Sequence, residues 1–432
     1  MKRLLIVTTL DYRYYDNNRV HHLVNQLQKR IEKVFLMYKK AYIQDKSSHV
    51  NQLQGFLTLK TKCFQDKNVT GIEVDPIFNH IGSLGLSILK LSNPYIVPGS
   101  YPKKFLRKFM SCLGFVTELG LLPSFLIAYL THIREKTDIF IGQGPWEVAF
   151  GLFLRRLGFV RMVVYDDFDY APGNQPISKI RRRIIAHIEK ACLKKSDLII
   201  SVGDLLGKLR EKQSGQKVTV IQNGVNLRLF QPAQKKVPHP PSLIYVGFVY
   251  GWSGFELIFS ALQRVKKQFP TIRFLIIGHT ISSYIEELMS LRDKMKLGEH
   301  VFYLGKKSYG EIVPYLREAD IGMAVFRPIG LRKYAFSLKV IEYMAAGLPI
   351  ITTQGTQSAS VIQAHQCGEA VEFEAESLAQ CICSLLSDKK KFARYEENSK
   401  KESLNYDWTQ LIYYQYFEAM KACYAKVSQT RS

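Results

Sequence analysis

The chain has 432 residues, 47% of them hydrophobic and 22% charged, a globular composition long enough for two domains with separate cores. Its 60 Lys and Arg residues against 37 Asp and Glu residues give a formal charge of +23, so an anionic partner or surface is expected: nucleic acid, lipid headgroups or a phosphorylated substrate. The seven cysteines are scattered and odd in number, which argues against a disulfide framework or a zinc site.

Short apolar runs alternate with helical spacing through the first half of the chain. The strand-like runs lie at residues 4–8, 34–38, 138–141, 162–165, 198–202 and 218–221. A helix is predicted over residues 20–27, where apolar side chains recur at helical spacing. The N-terminal run stops at Asp11 and is too short for a signal peptide, so we interpret it as a first strand. Strands separated by helices predict a parallel sheet covered on both faces.

Residues 76–130 interrupt this alternation with an aromatic, apolar and basic segment, which we interpret as a membrane-docking insertion. Its centre reads YPKKFLRKF, and residues 112–130 contain one charged residue, Glu118. A spanning helix would place Glu118 and Pro123 in hydrocarbon, so a buried or membrane-surface helical hairpin is favoured. A basic amphipathic stretch suits an anionic membrane surface. The alternative is an ordinary helical insertion packed on the first domain.

A proline-rich segment, QPAQKKVPHPP at residues 231–241, separates the two halves of the chain. Strand-like runs then resume at residues 243–246, 273–277, 301–304, 321–325 and 349–352, with helices over 255–268 and 284–296. The sequence thus predicts two doubly wound α/β domains, residues 1–232 and 233–405. Ligands of such sheets bind at the carboxyl ends of the strands, so a cleft between the domains is expected.

The stretch YAFSLKVIEYMAAGLPII at residues 334–351 is the most informative part of the sequence. Ser337 is a suitable N-cap for a helix that begins at Leu338 and is ended by Gly347. A helix N-terminus that points into a cleft favours an anion, because its free N–H groups and its dipole both attract negative charge.

Two charged residues of this helix fit a nucleotide. Lys339 in the first turn opposes the helix dipole, which is favourable if an anion lies beside it. Glu342 lies one turn further on the same face, where a carboxylate can accept hydrogen bonds from two vicinal hydroxyls of a ribose. Taken alone, the pair is more typical of a surface ion pair at i,i+3 spacing.

A series of motifs runs through most of the chain. The first half contains DNNRVHHLVNQL, VVYDDFDYAPG, ACLKKSDLIISVGDLL and VTVIQNGVNLRLFQP. The second half contains YVGFVYGWSGFELIFSAL, VFYLGKKSYGEIVPYLREADIGMAVF, the 334–351 stretch, CGEAVEF and YDWTQLIYYQYF. In their order and spacing these motifs resemble the retaining glycosyltransferases of family 4 (glycosyl transferases group 1), which have the GT-B fold.

The resemblance implies two Rossmann-like domains facing across a cleft. Residues 233–405 would hold a nucleotide-sugar donor, and residues 406–432 would form a helix that returns to the first domain. The implied enzyme transfers the sugar to a glycan or lipid-linked acceptor, with retention and without a metal or other cofactor, in polysaccharide or glycoconjugate biosynthesis. We expect it in the cytoplasm, peripheral at the inner face of the membrane. Nucleic acid is not expected as a partner, because no reader motif accompanies the basic clusters.

The resemblance also assigns roles to individual residues. Glu342 matches the glutamate that binds the donor ribose, and the backbone N–H groups of Ser337 and Leu338 match the diphosphate cradle. The other positions on the donor side are Gly247, Phe248, Trp252, Gly305, Lys306, Lys307 and Tyr334. The positions on the acceptor side are Asp16, Arg19, Asp167 and Asp169. No metal site is implied, and the Asp-x-Asp spacing at 167–169 is interpreted as chance or as an acceptor-side feature.

Departures from the family pattern affect the expected charges. Tyr334, Phe248, Ser253 and Phe168 stand where the family usually has Glu, Arg, Lys and His, respectively. The missing Arg and Lys normally neutralise the diphosphate leaving group. Trp252 and Lys339 fit a branch of the family with Trp in this turn and Lys three residues before the ribose glutamate. Lys339 and Arg332 are therefore predicted to supply the catalytic positive charge.

The same departures leave a second function open. A GT-B relative without the usual Arg, Lys and first Glu could bind a sugar nucleotide or a protein partner without catalysis. Phe248, Ser253 and Tyr334 motivate this alternative. Multiple turnover with a sugar nucleotide distinguishes the two.

Overall fold

The computed structural model describes residues 1–9, 19–39, 60–75, 120–173, 179–230, 239–280, 282–328 and 330–431. These residues form two compact units. The described residues up to Ile221, together with those from Leu411 onward, make up the first unit, and the described residues from Gln222 to Gln410 make up the second. Residues 231–238, which include the predicted domain boundary, lie outside the described residues, as do Asp16 and residues 76–119 of the predicted insertion.

The first unit is built on an eight-stranded sheet. Its strands are β1 (Arg3–Thr8), β2 (Lys33–Lys39), β3 (Lys60–Asp66), β4 (Val69–Asp75), β5 (Thr137–Gly142), β6 (Val160–Asp167), β7 (Leu198–Ser201) and β8 (Thr219–Val220). They are ordered β3-β4-β2-β1-β5-β6-β7-β8. All neighbours pair in parallel except β3 and β4, which form an antiparallel hairpin at one edge. The sequence did not predict this hairpin.

Helices cover this sheet on both faces, as is usual for the parallel sheet of a doubly wound α/β domain. They are α1 (Arg19–Leu27), α2 (Leu121–His132), α3 (Pro145–Arg156), α4 (Lys179–Lys195) and α5 (Asp204–Ser214). Helix α2 falls within the predicted insertion and buries Leu121, Phe125 and Tyr129 in the core of the first unit. The part of the insertion that the structure describes is therefore a packed helix. None of the helices among the described residues has the length and apolar character needed to span a bilayer.

The second unit is built on a six-stranded parallel sheet. Its strands are β9 (Ser242–Val246), β10 (Arg273–Ile277), β11 (Val301–Tyr303), β12 (Ile321–Ala324), β13 (Ile350–Thr353) and β14 (Gly368–Val371), ordered β11-β10-β9-β12-β13-β14. Its helices are α6 (Phe255–Gln268), α7 (Ser282–Lys294), α8 (Tyr309–Glu318), α9 (Leu338–Ala346), α10 (Gln357–Ala364), α11 (Ala375–Ser387) and α12 (Lys389–Ser403). The strand order reverses between β9 and β12, so the carboxyl ends of these two strands form the topological switch point, where ligands of open α/β sheets bind.

The C-terminal helix belongs to the first unit. A π-helical segment (Thr409–Tyr416) leads into α13 (Phe417–Thr430). The guanidinium carbon of Arg30, just after α1, lies 3.9 Å from the centroid of the Tyr413 ring. The hydroxyl of Tyr424 donates a hydrogen bond of 3.0 Å to Asp138 at the start of β5. These contacts fix the last helix on the sheet where the chain began.

Candidate active site at the switch point of the second unit

Helix α9 has the bounds that the sequence predicts. It runs from Leu338 to Ala346, Ser337 precedes it with an extended backbone (φ −73°, ψ 129°), and Gly347 ends it at φ +73°. Only glycine adopts this left-handed conformation at no steric cost, so the end of the helix is encoded locally. The Ser337 side chain makes no capping hydrogen bond, which leaves the start of the helix suited to an anion.

Tyr343 attaches α9 to the switch point. Its hydroxyl accepts a hydrogen bond from the Val246 N–H of β9 at 3.0 Å and donates one to the Met323 carbonyl of β12 at 3.3 Å. The ring fits because Gly322 has no side chain: a Cβ there would lie 2.4 Å from the Tyr343 ring. This residue therefore fixes the first turns of α9 beside the carboxyl ends of both strands.

The substitution Tyr343→Phe tests this attachment. It leaves the buried Val246 N–H without its acceptor, which costs about 1–3 kcal/mol of unfolding free energy. We expect a lower urea midpoint with an unchanged m-value. Tyr413→Phe, which removes the hydroxyl of a half-buried tyrosine in the first unit, is the matched control and should leave the midpoint nearly unchanged. An unchanged midpoint in Tyr343→Phe would show that the hydroxyl does not hold the helix.

Lys339 lies at the carboxyl end of β9. Its side chain is 9% exposed, and its ammonium nitrogen lies 3.6 Å from the centroid of the Tyr245 ring. A Cβ placed on Gly247 would lie 3.0 Å from the same nitrogen. Glycine at this position therefore leaves room for the Lys339 amine. Burial lowers the pKa of Lys339 well below its usual value, Arg332 lowers it further, and Glu342 opposes both. An anion bound here would raise the pKa again.

Arg332 lies near this amine. It is part of a short 3-10 turn (Gly330–Lys333), and its guanidinium carbon lies 3.6 Å from the centroid of the Trp252 ring. Stacking on an aromatic face holds a guanidinium flat and still charged. The repulsion between Arg332 and Lys339 shows that the structure places the two predicted catalytic cations close to one another. Two neighbouring cations are most stable with an anion between them.

Glu342 lies one turn beyond Lys339 and is 8% exposed. Burial raises the pKa of its carboxyl to about 7, and the nearby Lys339 opposes the shift. A buried carboxylate is costly unless it receives hydrogen bonds. The hydroxyls of a bound pentose would supply them. The structure thus brings together Glu342, Lys339, Arg332 and the start of α9.

The turn after β9 explains what Ser253 does in place of a lysine. Its fully buried hydroxyl donates to the Phe248 carbonyl at 3.1 Å and lies 3.1 Å from the Tyr245 hydroxyl. The Tyr245 hydroxyl donates to the same carbonyl at 2.7 Å. Ser253 therefore braces the turn from within. Phe248 is 42% exposed and stacks on Tyr250, with ring centroids 5.8 Å apart.

Three glycine turns form a row along the carboxyl edge of this sheet. The Gly247 N–H donates to the Ile277 carbonyl, and the Gly278 N–H donates to the Gly305 carbonyl, both at 2.9 Å. A Cβ on Gly278 would lie 1.7 Å from the Gly247 carbonyl oxygen, so this position requires glycine. The sequence analysis missed Gly278. The sequence shows that Gly278 follows a strand and precedes His279. The need for glycine comes from its contact with Gly247, which lies 31 positions earlier in the sequence.

The remaining donor-side residues lie at or near this edge. Gly305 follows β11 with φ +72°, Lys306 is exposed, and the Lys307 ammonium lies 5.1 Å from the Tyr315 ring centroid. Tyr334 is half-buried just after the turn that carries Arg332. The roles predicted for these side chains stay predictions.

Two of the predicted acceptor-side residues, Arg19 and Asp167, lie in buried ion pairs of the first unit. Nε of Arg19 donates to both carboxylate oxygens of Asp166, at 2.9 and 3.1 Å. Arg210 donates to Asp167 at 2.6 Å and to Glu189 at 2.6 Å. Burial raises the pKa of Glu189 to about 7, while Arg210 opposes the shift.

These pairs lie at the carboxyl end of β6. Asp167 is 1% exposed, and both of its oxygens receive hydrogen bonds from Arg210. Asp169, two residues on, is half-buried and accepts a hydrogen bond of 3.1 Å from the Tyr170 N–H. Arg19 and Asp167 thus hold the end of the strand, and their acceptor-side role stays a prediction. The sequence analysis missed Arg210 and Glu189, which have no local signal.

A model of the family described as "Glycosyl transferases group 1" matches residues 228–402, most of the second unit. Over this segment the chain is similar to the glycosyl transferases group 1 family. The match confirms the resemblance that the motifs indicated, and it places α9, the turn after β9 and the turn after β11 inside the group 1 domain.

A curated relative matches a longer stretch of the chain than the family model does. The chain is 26% identical over 263 residues to the putative teichuronic acid biosynthesis glycosyltransferase TuaH of Bacillus subtilis (strain 168). The matched part covers 58% of this chain and 64% of TuaH, which is less than two thirds of that relative.

Solved structures extend the likeness to nearly the whole chain. Sucrose-phosphate synthase from Thermosynechococcus elongatus aligns with a TM-score of 0.68 and 17% identity, covering 99% of this chain and 100% of that one. Anabaena Alr3699/HepE in complex with UDP-glucose aligns with a TM-score of 0.65 and 12% identity, covering 98% and 100%. At these identities the likeness shows the fold, and it confirms the predicted GT-B class of two α/β units.

Proposed function

We propose that this chain is a glycosyltransferase that moves a sugar from a nucleotide-sugar donor to a glycan or lipid-linked acceptor. The observation that carries the proposal is the grouping at the switch point of the second unit. There the uncapped start of α9, the buried Lys339 amine, the stacked Arg332 and the buried Glu342 lie together. A buried carboxylate beside two cations and a helix N-terminus is complementary to a nucleoside diphosphate.

The proposed chemistry assigns each group a task. The diphosphate is the leaving group, and its negative charge grows as the bond to the anomeric carbon breaks. Lys339, Arg332 and the N–H groups at Ser337 and Leu338 stabilise that charge, and they accelerate the reaction to the extent that they bind the transition state more strongly than the donor. Glu342 holds the ribose. Retention at the anomeric carbon and independence of metal ions are part of the proposal.

The relatives suggest where to begin the search for substrates. Alr3699/HepE binds UDP-glucose, and TuaH is named for teichuronic acid biosynthesis. We propose a uridine diphosphate sugar as the donor and an envelope polysaccharide or glycoconjugate precursor as the product. The excess of 23 positive charges supports work at an anionic membrane surface, and we place the enzyme in the cytoplasm at the inner face of that membrane.

A panel of sugar nucleotides tests the proposal. A true donor at about 100 times its dissociation constant should stabilise the folded chain by about 2.7 kcal/mol and raise the unfolding temperature. The same donor should be hydrolysed slowly in the absence of acceptor, with release of the nucleoside diphosphate. Failure of every sugar nucleotide to bind would reject the proposal.

Arg332→Met tests the stacked cation. Loss of a charge-assisted contact to the leaving group costs about 1.5–3 kcal/mol, which corresponds to a fall of roughly 10- to 100-fold in kcat/KM for donor hydrolysis. Lys333→Met removes the charge of the exposed neighbour and is the matched control, expected to stay within about twofold of the wild type. Equal activity of the two variants would remove Arg332 from the site.

A non-catalytic sugar-nucleotide-binding protein is the second candidate. The turn after β9 favours it, because the two positions that usually carry phosphate-binding cations hold an exposed Phe248 and a buried, structural Ser253. Such a protein would bind the nucleotide without turnover. Release of more than one equivalent of product per chain would exclude it.

A further inference from the structure

The amino edge of the first sheet has features that the proposed reaction does not use. Strands β5 and β6 begin at Thr137 and Val160, and helices α2 and α3 end at His132 and Arg156, a few residues before them. The last turns of both helices therefore lie at this amino edge. Ligands of parallel sheets bind at the opposite, carboxyl edge.

Large apolar side chains are exposed near the ends of these two helices. They are Ile127 (45% exposed), Leu130 (47%), Phe153 (45%) and Leu157 (52%). The helices share one face of the sheet, since Tyr129 of α2 contacts Phe159 after α3, with ring centroids 5.6 Å apart. Exposed apolar groups gathered on one face mark an interaction surface.

A basic groove opens beside Phe153, which is one of its lining residues. It has a volume of about 1000 Å³, and its walls come from α3, α4 and the starts of β5 and β6. Lys136, Arg156, Arg161 and Lys195 line it, are exposed and have no carboxylate partner among the described residues. By contrast, Arg155 and Arg431 in the same groove both pair with Asp197, at 2.7 and 2.6 Å.

We propose that this amino edge docks on a bilayer that carries anionic headgroups. Cations without partners next to exposed aliphatic and aromatic groups match a membrane interface, where headgroup phosphates meet the first methylenes of the acyl chains. The groove has room for headgroup phosphates beside Arg156 and Arg161, while Phe153 and Leu157 insert beside them. All the residues named for this surface lie outside the sequence range 76–119. The inference rests on the membrane part of the proposed function and is independent of sugar transfer.

Vesicle co-sedimentation tests the surface. The full chain should bind vesicles of phosphatidylcholine with phosphatidylglycerol at least about tenfold more strongly than phosphatidylcholine alone, and high salt should remove the difference. Arg156→Glu with Arg161→Glu should lower the partition coefficient for the anionic vesicles at least about tenfold. Phe153→Ser with Leu157→Ser should lower it several-fold and leave the salt dependence in place, because it removes only the apolar contacts.

Lys389→Glu with Lys390→Glu is the matched control, since it reverses two exposed lysines at the start of α12 in the other unit. Equal loss of binding in the two charge-reversal pairs would show that net charge alone acts and would overturn the proposal. Equal binding to anionic and neutral vesicles would also overturn the proposal. So would a chain that binds soluble tripolyphosphate in the groove but does not bind vesicles. Donor hydrolysis measured without vesicles should be the same in these double variants as in the wild type. A wild-type chain that hydrolyses no donor would reject the proposed transferase activity and would leave the proposed docking surface untouched.

Discussion

Glu342→Ala is expected to lower kcat/KM for the donor at least about 100-fold, the largest loss from a single substitution at this site. The carboxylate would accept two hydrogen bonds from the pentose, and each hydrogen bond to a charged group is worth about 1.5–3 kcal/mol. Initial rates of donor hydrolysis measure the effect. Glu318→Ala, an exposed glutamate on α8, is the control and should behave as the wild type.

Measurements of stability show whether the loss of hydrolysis at Glu342 comes from a lost substrate contact or from unfolding of the chain. The folded-state pKa of Glu342 is about 7, above the ordinary 4.5, so the native state binds more protons than the unfolded state between these values. Stability therefore falls as pH rises through this window. Glu342→Gln removes the titrating group, and we expect it to unfold at a temperature equal to or above that of the wild type at pH 8. A less stable Glu342→Gln chain with normal hydrolysis would mean that the carboxylate is structural.

Lys339→Met is expected to weaken nucleoside diphosphate binding by roughly 10- to 100-fold, from the loss of one charge-assisted contact of about 1.5–3 kcal/mol. Burial in the free protein holds the pKa of Lys339 well below its usual value, and a bound diphosphate raises it again. Binding of UDP should therefore take up protons at a pH between the lowered pKa of the free protein and the raised pKa of the complex. Calorimetry in buffers of different ionisation enthalpy measures this uptake directly.

Three variants test whether Lys339 is the group that takes up protons when UDP binds. Lys339→Met should lose the proton uptake along with the affinity, whereas Lys333→Met, at an exposed position of the neighbouring turn, should keep both. Arg332→Met should bind UDP more weakly but should still take up protons on binding. Proton uptake that persists in Lys339→Met would place the titrating group elsewhere and leave the buried amine without a role in binding.

Local signals made the site helix predictable from the sequence. Ser337 and Gly347 mark the start and the end of α9 because a cap and a left-handed glycine act within one turn of the residues they serve. Most strands of both sheets were predicted, because buried parallel strands are short apolar runs. Strands β3 and β4 were missed, and β3 is an edge strand whose sequence, KTKCFQD, is mostly polar.

What the sequence could not supply depends on contacts between distant residues. Arg210 meets Asp167 across 43 positions, and Gly278 is required only because the Gly247 carbonyl approaches it. Ser253 looked like the loss of a lysine, but in the fold its hydroxyl braces the turn. Likewise, the surroundings that move the pKa of Lys339 and Glu342 exist only once α9 is attached to β9 and β12 by Tyr343.

A crystal structure of the chain with bound UDP tests the central claim most directly. We predict that the diphosphate lies at the start of α9, within hydrogen-bonding distance of the backbone N–H groups at Ser337 and Leu338 and of the Lys339 amine, with both ribose hydroxyls on Glu342. A nucleotide bound away from the carboxyl ends of β9 and β12, with Glu342 still buried and unliganded, would contradict the account.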